Sequence, residues 1–374
     1  MSDTTSSVPF VDLKRLQAPL RADLEAAFSR VLDHGIYVLG PEVQAFEQQL
    51  SGYLGAADTA GVSCGTDALL AAFLALGLPA GGEILMTPLS FIASASSVLR
   101  AGLRPVFVDL PDIGFHPSPQ AFEDAWTPAT VGVLAVHLFG EPVPMADVAA
   151  LCARRGGVLV EDCAQAIGAR TPSGASVGLA GAAGTLSFFP AKNLGALGDG
   201  GAVFGSDPAL IAHVRRIRQH GRRARDAYDE LGGNFRLDAL QAAMLRVLLP
   251  ALDDWTQARA ANAASYLAAF APLERAGQLQ LPQPLAGHAW NQFCIRTPHR
   301  ANLVEALTAA GIGHAVYYTR ALHQQAALAA AVPAEHLPNA ERCCAEVLAI
   351  PVYPGLTEAE RNRVIEVVTQ TLPC

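Results

Sequence analysis

The sequence predicts an α/β protein, with a large domain built on a mainly parallel sheet and a smaller α+β domain after it. The 374 residues are more than one core usually accommodates. The runs 105–109, 131–137 and 158–162 are almost continuously apolar, which is typical of parallel strands buried on both faces. Helical patterns separate such runs up to about residue 270, and the pattern then changes, which favours a second domain.

The elements follow in chain order. Helices are predicted at 19–33, 41–54, 66–77, from about 94, at 146–155, 208–219 and 237–270. Strands are predicted at 62–64, 84–87, 105–109, 131–137, 158–162, 185–189 and 201–204. The last two strands are close in sequence, which indicates either a hairpin or a local irregularity.

The C-terminal part is predicted to hold a strand at 291–296 and helices at 300–310 and 357–372. We expect the domain boundary within the long helix, near 250–265, and divide the chain into 1–255 and 256–374. The N-terminal segment is expected to pack on the small domain.

Composition excludes several classes of function. A formal charge of −8 gives no basic surface for nucleic acid, and no apolar run is long enough to span a membrane. The first ten residues lack a basic region followed by an apolar core, so no signal peptide is predicted. The seven cysteines form no CxxC pair, which predicts no metal site and favours reduced thiols in the cytoplasm.

Lys192 is the first candidate for chemistry. The chain has only two lysines, Lys14 and Lys192, and arginine supplies the rest of its 26 basic residues. Lysine, unlike arginine, becomes an amine nucleophile when burial lowers its pKa, and the residues around Lys192 are apolar and glycine-rich. The alternative is a lysine at a loop edge whose stem covers apolar surface and whose charge stays in water.

Two further features complement the lysine. Asp162 ends the run 158–162, where parallel sheets bind ligands, although from this residue alone a helix cap is favoured. Gly65 and Thr66 open an apolar helix whose first-turn amides suit an anion, although Thr66 can also be a simple cap. His137, at the end of another strand, is either a satisfied buried histidine or a cleft residue.

One ligand explains these features together. Pyridoxal phosphate has an aldehyde for the lysine, a ring nitrogen for the aspartate and a phosphate for the helix N-terminus. The motifs SCGTDALL (63–70), VEDCAQAIGA (160–169), SFFPAKNLGALGDGG (187–201) and GGNFRLDALQAA (232–243) add to this reading. In their order and spacing the chain resembles the DegT–StrS family of pyridoxal-phosphate sugar aminotransferases, of the aspartate aminotransferase superfamily.

The resemblance implies a fold and a set of cofactor contacts. The fold is that of the PLP-dependent transferases of fold type I, with a mainly parallel seven-stranded sheet sandwiched by helices. Lys192 is similar to the Schiff-base lysine, and Asp162 to the partner of the pyridine nitrogen. The other implied cofactor contacts are Gly65, Thr66, Phe91, Ala164, Gln165, Ser187 and Asn234.

The resemblance also implies a homodimer with its active sites at the interface, since Asn234 matches a residue that reaches the neighbouring subunit's phosphate. The implied substrate contacts are Tyr37, His220, Arg222, Tyr228, Tyr317 and His323. Glu141 stands where relatives often carry a neutral residue, and this departure bears on which sugar is accepted.

The function that follows is transfer of an amino group from L-glutamate to a keto sugar on a dTDP or UDP nucleotide, with position 3 favoured. Two alternatives remain within the same family. A sugar dehydratase is one, although such members carry histidine where this chain has Lys192. A regulatory protein that binds the cofactor without turnover is the other.

Overall fold

A sheet of seven strands is the centre of the computed structural model, which describes residues 7–332 and 336–372. The strands are β1 (Asp58–Val62), β2 (Glu83–Met86), β3 (Arg104–Phe107), β4 (Thr130–Val136), β5 (Val158–Asp162), β6 (Ala183–Ser187) and β7 (Gly201–Gly205). Their order in the sheet is β1-β7-β6-β5-β4-β2-β3. β7 runs antiparallel to both neighbours, and the other adjacent pairs are parallel. The predicted α/β fold with a mainly parallel seven-stranded sheet is confirmed.

Helices cover both faces of this sheet. Those of the first 275 residues are α1 (Leu13–Gln17), α2 (Arg21–His34), α3 (Pro41–Leu54), α4 (Gly65–Leu76), α5 (Ile92–Arg100), α6 (Pro119–Asp124), α7 (Met145–Arg155), α8 (Pro208–Ile217), α9 (Ala239–Leu248) and α10 (Leu252–Arg275). In β4, Val133 packs in one core with Val148 of α7, whereas Leu134 packs in another with Leu69 of α4. Burial on both faces explains why the strand sequences are apolar without alternation.

The strand registers bring three chain segments to one edge of the sheet. Val136 of β4 pairs with Asp162 of β5, and Asp162 pairs with Thr185 of β6. β6 and β7 form an antiparallel pair, with Ser187 opposite Gly201, so the hairpin alternative was correct. The connecting segment 188–200 therefore leaves and re-enters the sheet at the edge where β5 ends.

The C-terminal part builds a second core. Its strands β10 (Phe293–Arg296) and β11 (Val347–Ile350) are antiparallel, and its helices are α11 (Arg300–Ala309), α12 (Pro338–Glu346) and α13 (Glu358–Thr371). Tyr266 and Phe270 of α10 pack here against Phe293 and Val364. The N-terminal Val8 joins the same core, and its N–H donates to the carbonyl of Gly311 at 3.0 Å. The domain division at 255/256 stays a prediction.

Several elements differ from the predicted ones. The predicted helix 237–270 is interrupted at Leu249–Ala251, a 3-10 turn containing Pro250, because proline cannot continue the helical hydrogen bonds. β1 begins and ends earlier than predicted, since its sequence DTAGV has few typical strand residues. The hairpin of β8 (Arg222–Ala224) and β9 (Ala227–Tyr228) was not predicted, nor was β11.

None of the helices within 7–332 and 336–372 is both long and apolar enough to cross a lipid bilayer.

Candidate active site

Asp162 lies at the carboxyl end of β5, and its side chain is buried. The N–H of Ala164 donates to its Oδ1 at 3.0 Å, and the hydroxyl of Ser94 donates to its Oδ2 at 2.9 Å. Burial raises the pKa of Asp162, and the two hydrogen bonds and the charge of Lys192 offset this only in part. Because a carboxylate has about four acceptor positions, Asp162 retains capacity for a protonated ligand atom.

Lys192 lies in the segment that joins β6 to β7. Its backbone N–H donates to the carbonyl of Phe189 at 2.8 Å, and the turn closes at Gly195, where any Cβ would collide with the carbonyl of Pro190. Burial lowers the pKa of Lys192 to about 8, while Asp162 acts in the opposite direction. A fraction of the amine is therefore unprotonated near neutral pH, which is the state that attacks a carbonyl.

Asn193 anchors the segment that carries Lys192, a role that was not predicted from the sequence. Its Nδ2 donates to the carbonyl of Ala289 at 2.8 Å, and its Oδ1 accepts from Nδ2 of Asn291 at 2.8 Å. Both amide groups are buried. The residue that follows Lys192 is thus hydrogen-bonded to the segment that leads into β10.

The N-terminus of α4 forms a cradle with the end of β6. A Cβ at Gly65 would lie 2.6 Å from Cβ of Ser187, so glycine alone allows the two backbones to approach this closely. The N-cap of α4 is Cys64, and its Sγ accepts from the N–H of Asp67 at 3.4 Å. The first-turn amides and the hydroxyls of Thr66 and Ser187 together suit a phosphate group.

Gln165 is oriented by a backbone group. The N–H of Phe139 donates to Oε1 of Gln165 at 2.6 Å, which directs the Nε2 group toward the hydroxyl of Tyr318 at 3.4 Å. Gln165 therefore offers a donor, rather than an acceptor, to a ligand. Tyr318 lies in the same cluster, where burial raises its pKa and the charge of Asp162 adds to the effect.

Phe91 and Ala164 border this cluster from two chain segments. Phe91 precedes α5 by one residue, and its ring is 57% exposed, so it stays available for a ligand. Ala164 follows Asp162 by two residues and is partly buried. Their predicted positions on opposite faces of a cofactor ring remain a prediction.

Asn234, predicted as a cofactor contact, and most of the predicted substrate residues lie on the surface of the single chain. Asn234, His220, Arg222 and Tyr228 are exposed, and Tyr37 is 49% exposed. The backbones of Gln219 and Asn234 pair, and the β8–β9 hairpin carries Arg222 and Tyr228. Within the described part of one chain, no hydrogen bond or ion pair joins these side chains to Lys192 or Asp162.

Tyr317 and His323 are placed differently. Tyr317 is partly buried, with its ring centre 6.2 Å from that of Phe10. The ring of His323 is buried, its Nε2 lies 3.0 Å from Oε1 of Glu341, and Phe107 lies beside it. The structure therefore places the His323 ring in a hydrogen bond with Glu341 of α12 rather than at an open surface, and its role in substrate binding stays a prediction.

His137 is a satisfied buried histidine, which decides between its two predicted alternatives. The N–H of Val143 donates to Nδ1 of His137 at 3.0 Å, so the ring proton lies on Nε2. This Nε2 donates to Oε2 of Glu161 at 3.0 Å. The neutral ring of His137 supports a buried carboxylate and does not line the ligand cluster.

The sheet edge and its cluster define the class of this protein: it is an aminotransferase of the α/β type. Within that class the chain belongs to the DegT/DnrJ/EryC1/StrS aminotransferase family, whose sequence model matches residues 19–369. The resemblance expected from the motifs is confirmed.

Two curated relatives are similar over nearly their whole length. The dTDP-3-amino-3,4,6-trideoxy-alpha-D-glucose transaminase of Streptomyces venezuelae is 40% identical, over 98% of this chain and 96% of the relative. The UDP-N-acetyl-3-dehydro-alpha-D-glucosamine 3-aminotransferase of Acidithiobacillus ferrooxidans is 39% identical, over 98% of each. Both names describe amino-group transfer, in agreement with the predicted enzyme class.

Two solved structures agree with the fold. DesV of S. venezuelae, in complex with a ketimine intermediate, has a TM-score of 0.93 at 39% identity, covering 97% of this chain and 98% of its own. NtdA from Bacillus subtilis, with bound cofactor PMP, has a TM-score of 0.91 at 30% identity, covering 98% of this chain and 85% of its own.

Proposed function

We propose that the protein uses pyridoxal 5′-phosphate to move an amino group from L-glutamate to position 3 of a keto sugar carried by dTDP or UDP. The observation that carries this proposal is the half-buried Lys192, whose charge interacts with that of the buried Asp162 at the carboxyl edge of the sheet. The names of the two relatives support a nucleotide-linked sugar and its position 3.

The residues of the cluster fit this cofactor. The close approach of Gly65 to Ser187 leaves helix-end amides and hydroxyls for its phosphate. Asp162 would hold its ring nitrogen, Gln165 would donate to its ring oxygen, and Phe91 and Ala164 would border its faces. When bound, the cofactor supplies an aldehyde carbon and an electron-withdrawing ring.

The chain's own groups have separate tasks in the reaction. Lys192, with its pKa lowered to about 8 by burial, can accept a proton and return it near neutral pH. The Asp162 carboxylate would hold a proton at the ring nitrogen, and would so keep a positive charge where electrons are withdrawn. The N–H of Phe139 orients Gln165, whose Nε2 would donate to the ring oxygen.

A second copy of the chain would complete the site. Phe28 and Leu32 lie four residues apart on one side of α2, and their side chains are 47% and 50% exposed. Ile36, Tyr37 and Val38 extend this apolar surface and are between 45% and 52% exposed. A surface of this kind favours a homodimer, in which the exposed Asn234 would reach the neighbouring subunit's phosphate.

The substrate would bind around the surface residues predicted from the sequence. Arg222 suits a diphosphate because its guanidinium can bind two oxygens at once. Tyr37, His220, Tyr228, Tyr317 and His323 complete the proposed set. We place the reaction in the cytoplasm, which agrees with the free thiols of the six cysteines in the described residues.

Absorbance tests the cofactor. We expect wild-type protein to be yellow with added cofactor, and borohydride to fix the cofactor to Lys192. The variant Lys192→Ala should lose both properties, whereas Lys14→Ala should keep them because Lys14 is exposed. Wild-type protein that stays colourless with added cofactor would contradict the proposal.

A panel of nucleotide-linked keto sugars with L-glutamate tests the substrate. The expected product is an amino sugar, identified by the mass change from ketone to amine, and its position is assigned by NMR. Loss of water without gain of nitrogen would indicate the dehydratase instead. Turnover confined to free amino and keto acids would refute the sugar substrate but not the aminotransferase.

A further inference from the structure

Two serines form a chain of hydroxyl groups that ends on Asp162. Ser94, in the first turn of α5, is 1% exposed, and its Oγ lies 2.9 Å from Oδ2 of Asp162. Ser90, just before Phe91, is 5% exposed, and its Oγ lies 2.8 Å from that of Ser94. A serine hydroxyl has one proton, so Ser94, which donates to Asp162, must accept from Ser90. The chain therefore has one direction, from Ser90 through Ser94 to the carboxylate.

We propose that Ser94, with Ser90 behind it, is a positioning residue that fixes the Asp162 carboxylate and keeps the shared proton on the cofactor's ring nitrogen. This inference rests on the proposed function, because it concerns the cofactor assigned there.

The proton between Asp162 and a ring nitrogen has two possible places. It lies on the nitrogen when the pair is ionic, and on the carboxylate when the pair is neutral. Burial favours the neutral pair, because it penalises both charges. A hydroxyl that donates to the carboxylate stabilises its charged form, and thus favours the proton on the nitrogen.

Few other groups can perform this task. Three titratable side chains act on Asp162 in the described residues, and they are Lys192, His137 and Tyr318. His137 is neutral, because Val143 donates to its Nδ1. Lys192 loses its charge when it acts as the nucleophile. The direct support for the Asp162 charge then comes from the N–H of Ala164 and the hydroxyl of Ser94.

The helix also provides a matched control. Ser96 is partly buried on the same helix α5, but its hydroxyl faces the carbonyl of Ala93 at 3.4 Å. Removal of this hydroxyl has the same effect on helix propensity as removal of the Ser94 hydroxyl. It leaves Asp162 unchanged.

The test uses the full-length protein loaded with pyridoxal phosphate that carries ¹⁵N at the ring nitrogen. In Ser94→Ala we expect the ¹⁵N signal to move toward that of an unprotonated ring, and kcat to fall by roughly 10- to 100-fold, as for loss of a hydrogen bond to a charged group. In Ser90→Ala the signal should move less, in the same direction. In Ser96→Ala it should stay at the wild-type value.

The outcomes separate this inference from the proposed function. A bound cofactor with a wild-type ¹⁵N signal in both Ser94→Ala and Ser90→Ala would overturn the inference and leave the function intact. If Ser94→Ala does not fold, the result for Ser90→Ala decides alone. This variant removes the donor to Ser94 but keeps the contact of Ser94 with Asp162. Wild-type protein that binds no labelled cofactor would refute the function and the inference together.

Discussion

Two consecutive carboxylates at the end of β5 lie on opposite faces of the sheet, and their surroundings differ. Glu161 accepts from the N–H groups of Gly178, Ala180 and Gly181, at 2.8–2.9 Å, and from His137 at 3.0 Å. Burial alone would raise its pKa, but these hydrogen bonds lower it overall. The Asp162 carboxylate accepts from the N–H of Ala164 and the hydroxyl of Ser94 alone among the described residues, and its pKa remains raised.

Protein donors occupy the acceptor positions of the Glu161 carboxylate, whereas the Asp162 carboxylate keeps acceptor positions for a ligand. Each oxygen of Glu161 has two donors, so a further ligand would gain nothing there. Asp162 combines burial with unused acceptor positions, which is costly for the protein alone and useful for a ligand. Substitutions on the Glu161 face should therefore cost stability, and substitutions on the Asp162 face should cost turnover.

The largest effect is expected from Asp162→Asn. The amide has nearly the shape of the carboxylate but cannot hold a proton on the ring nitrogen, so kcat should fall by about 100- to 10,000-fold. The melting temperature should change little. Steady-state kinetics and thermal unfolding measure the two effects, with the exposed Asp124→Asn as control. Near-normal turnover would remove Asp162 from the mechanism.

Glu161→Gln should give the converse result. Its new NH2 group must face N–H donors, and the neutral His137 loses a charged acceptor, so the free energy of unfolding should fall by about 1–3 kcal/mol for each buried donor left unpaired. The protein that remains folded should turn over at close to the wild-type rate. Urea titration with activity measured on the folded fraction tests this. Unchanged stability with lost activity would reverse the assignment of the two faces.

The pH dependence of covalent cofactor capture tests the protonation of Lys192. Only unprotonated Lys192 attacks, so the rate of covalent capture by apo-enzyme should rise about tenfold per pH unit and level off above pH 8. Stopped-flow absorbance follows this reaction. In Asp162→Asn the midpoint should move lower, since the charge of Asp162 raises the pKa of Lys192. A midpoint near the ordinary lysine value would show that burial does not act on the amine.

Glu141 is another buried carboxyl group, and its substitution should give a smaller effect. Burial raises its pKa to about 7 from an ordinary 4.5. His116 lies 3.6 Å away, but burial lowers the pKa of that ring to about 3, so it stays neutral. The folded state thus holds a proton that the unfolded state releases, and this group's contribution to stability falls as pH rises from about 4.5 to 7.

Glu141→Gln removes that dependence. The variant should be more stable than wild type by up to roughly 3 kcal/mol at about pH 8, and the gain should disappear near pH 4. Chemical unfolding at both pH values measures it. The exposed Glu366→Gln is the control and should show no such trend. An equal gain at both pH values would mean that packing, rather than ionisation, is the cause.

The sheet could be predicted because its strands are buried on both faces and leave continuous apolar runs. The ends of β1 could not be predicted, because the strand contains small residues such as Ala60 and Gly61, which have low strand propensity. Pro250 breaks the helix inside a sequence whose apolar periodicity is continuous, so periodicity alone predicts a single helix. β11 begins directly after α12 ends, so no turn residues between them indicate a change from helix to strand.

Lys192 was indicated by its apolar, glycine-rich surroundings, whereas Asp162 alone favoured a helix cap and became a site candidate only together with the lysine and the motifs; both roles stay predictions. Ser94 and Asn193 could not be predicted, because their importance lies in partners 68 and 98 residues away in the chain. The two alternatives for His137 are decided by the hydrogen bond from the N–H of Val143 to its ring, which only the folded structure shows.

The N-terminal segment has a consequence for how the chain folds during its synthesis. The N–H of Val8 donates to the carbonyl of Gly311, and Arg15 forms a bidentate ion pair with Glu360 at 2.8 and 3.0 Å. A ribosome releases the first of these residues long before it has made their partners. Arg15 therefore stays unpaired with Glu360, which lies 345 residues further along the chain, until that part has been synthesised, and this contact forms late in folding.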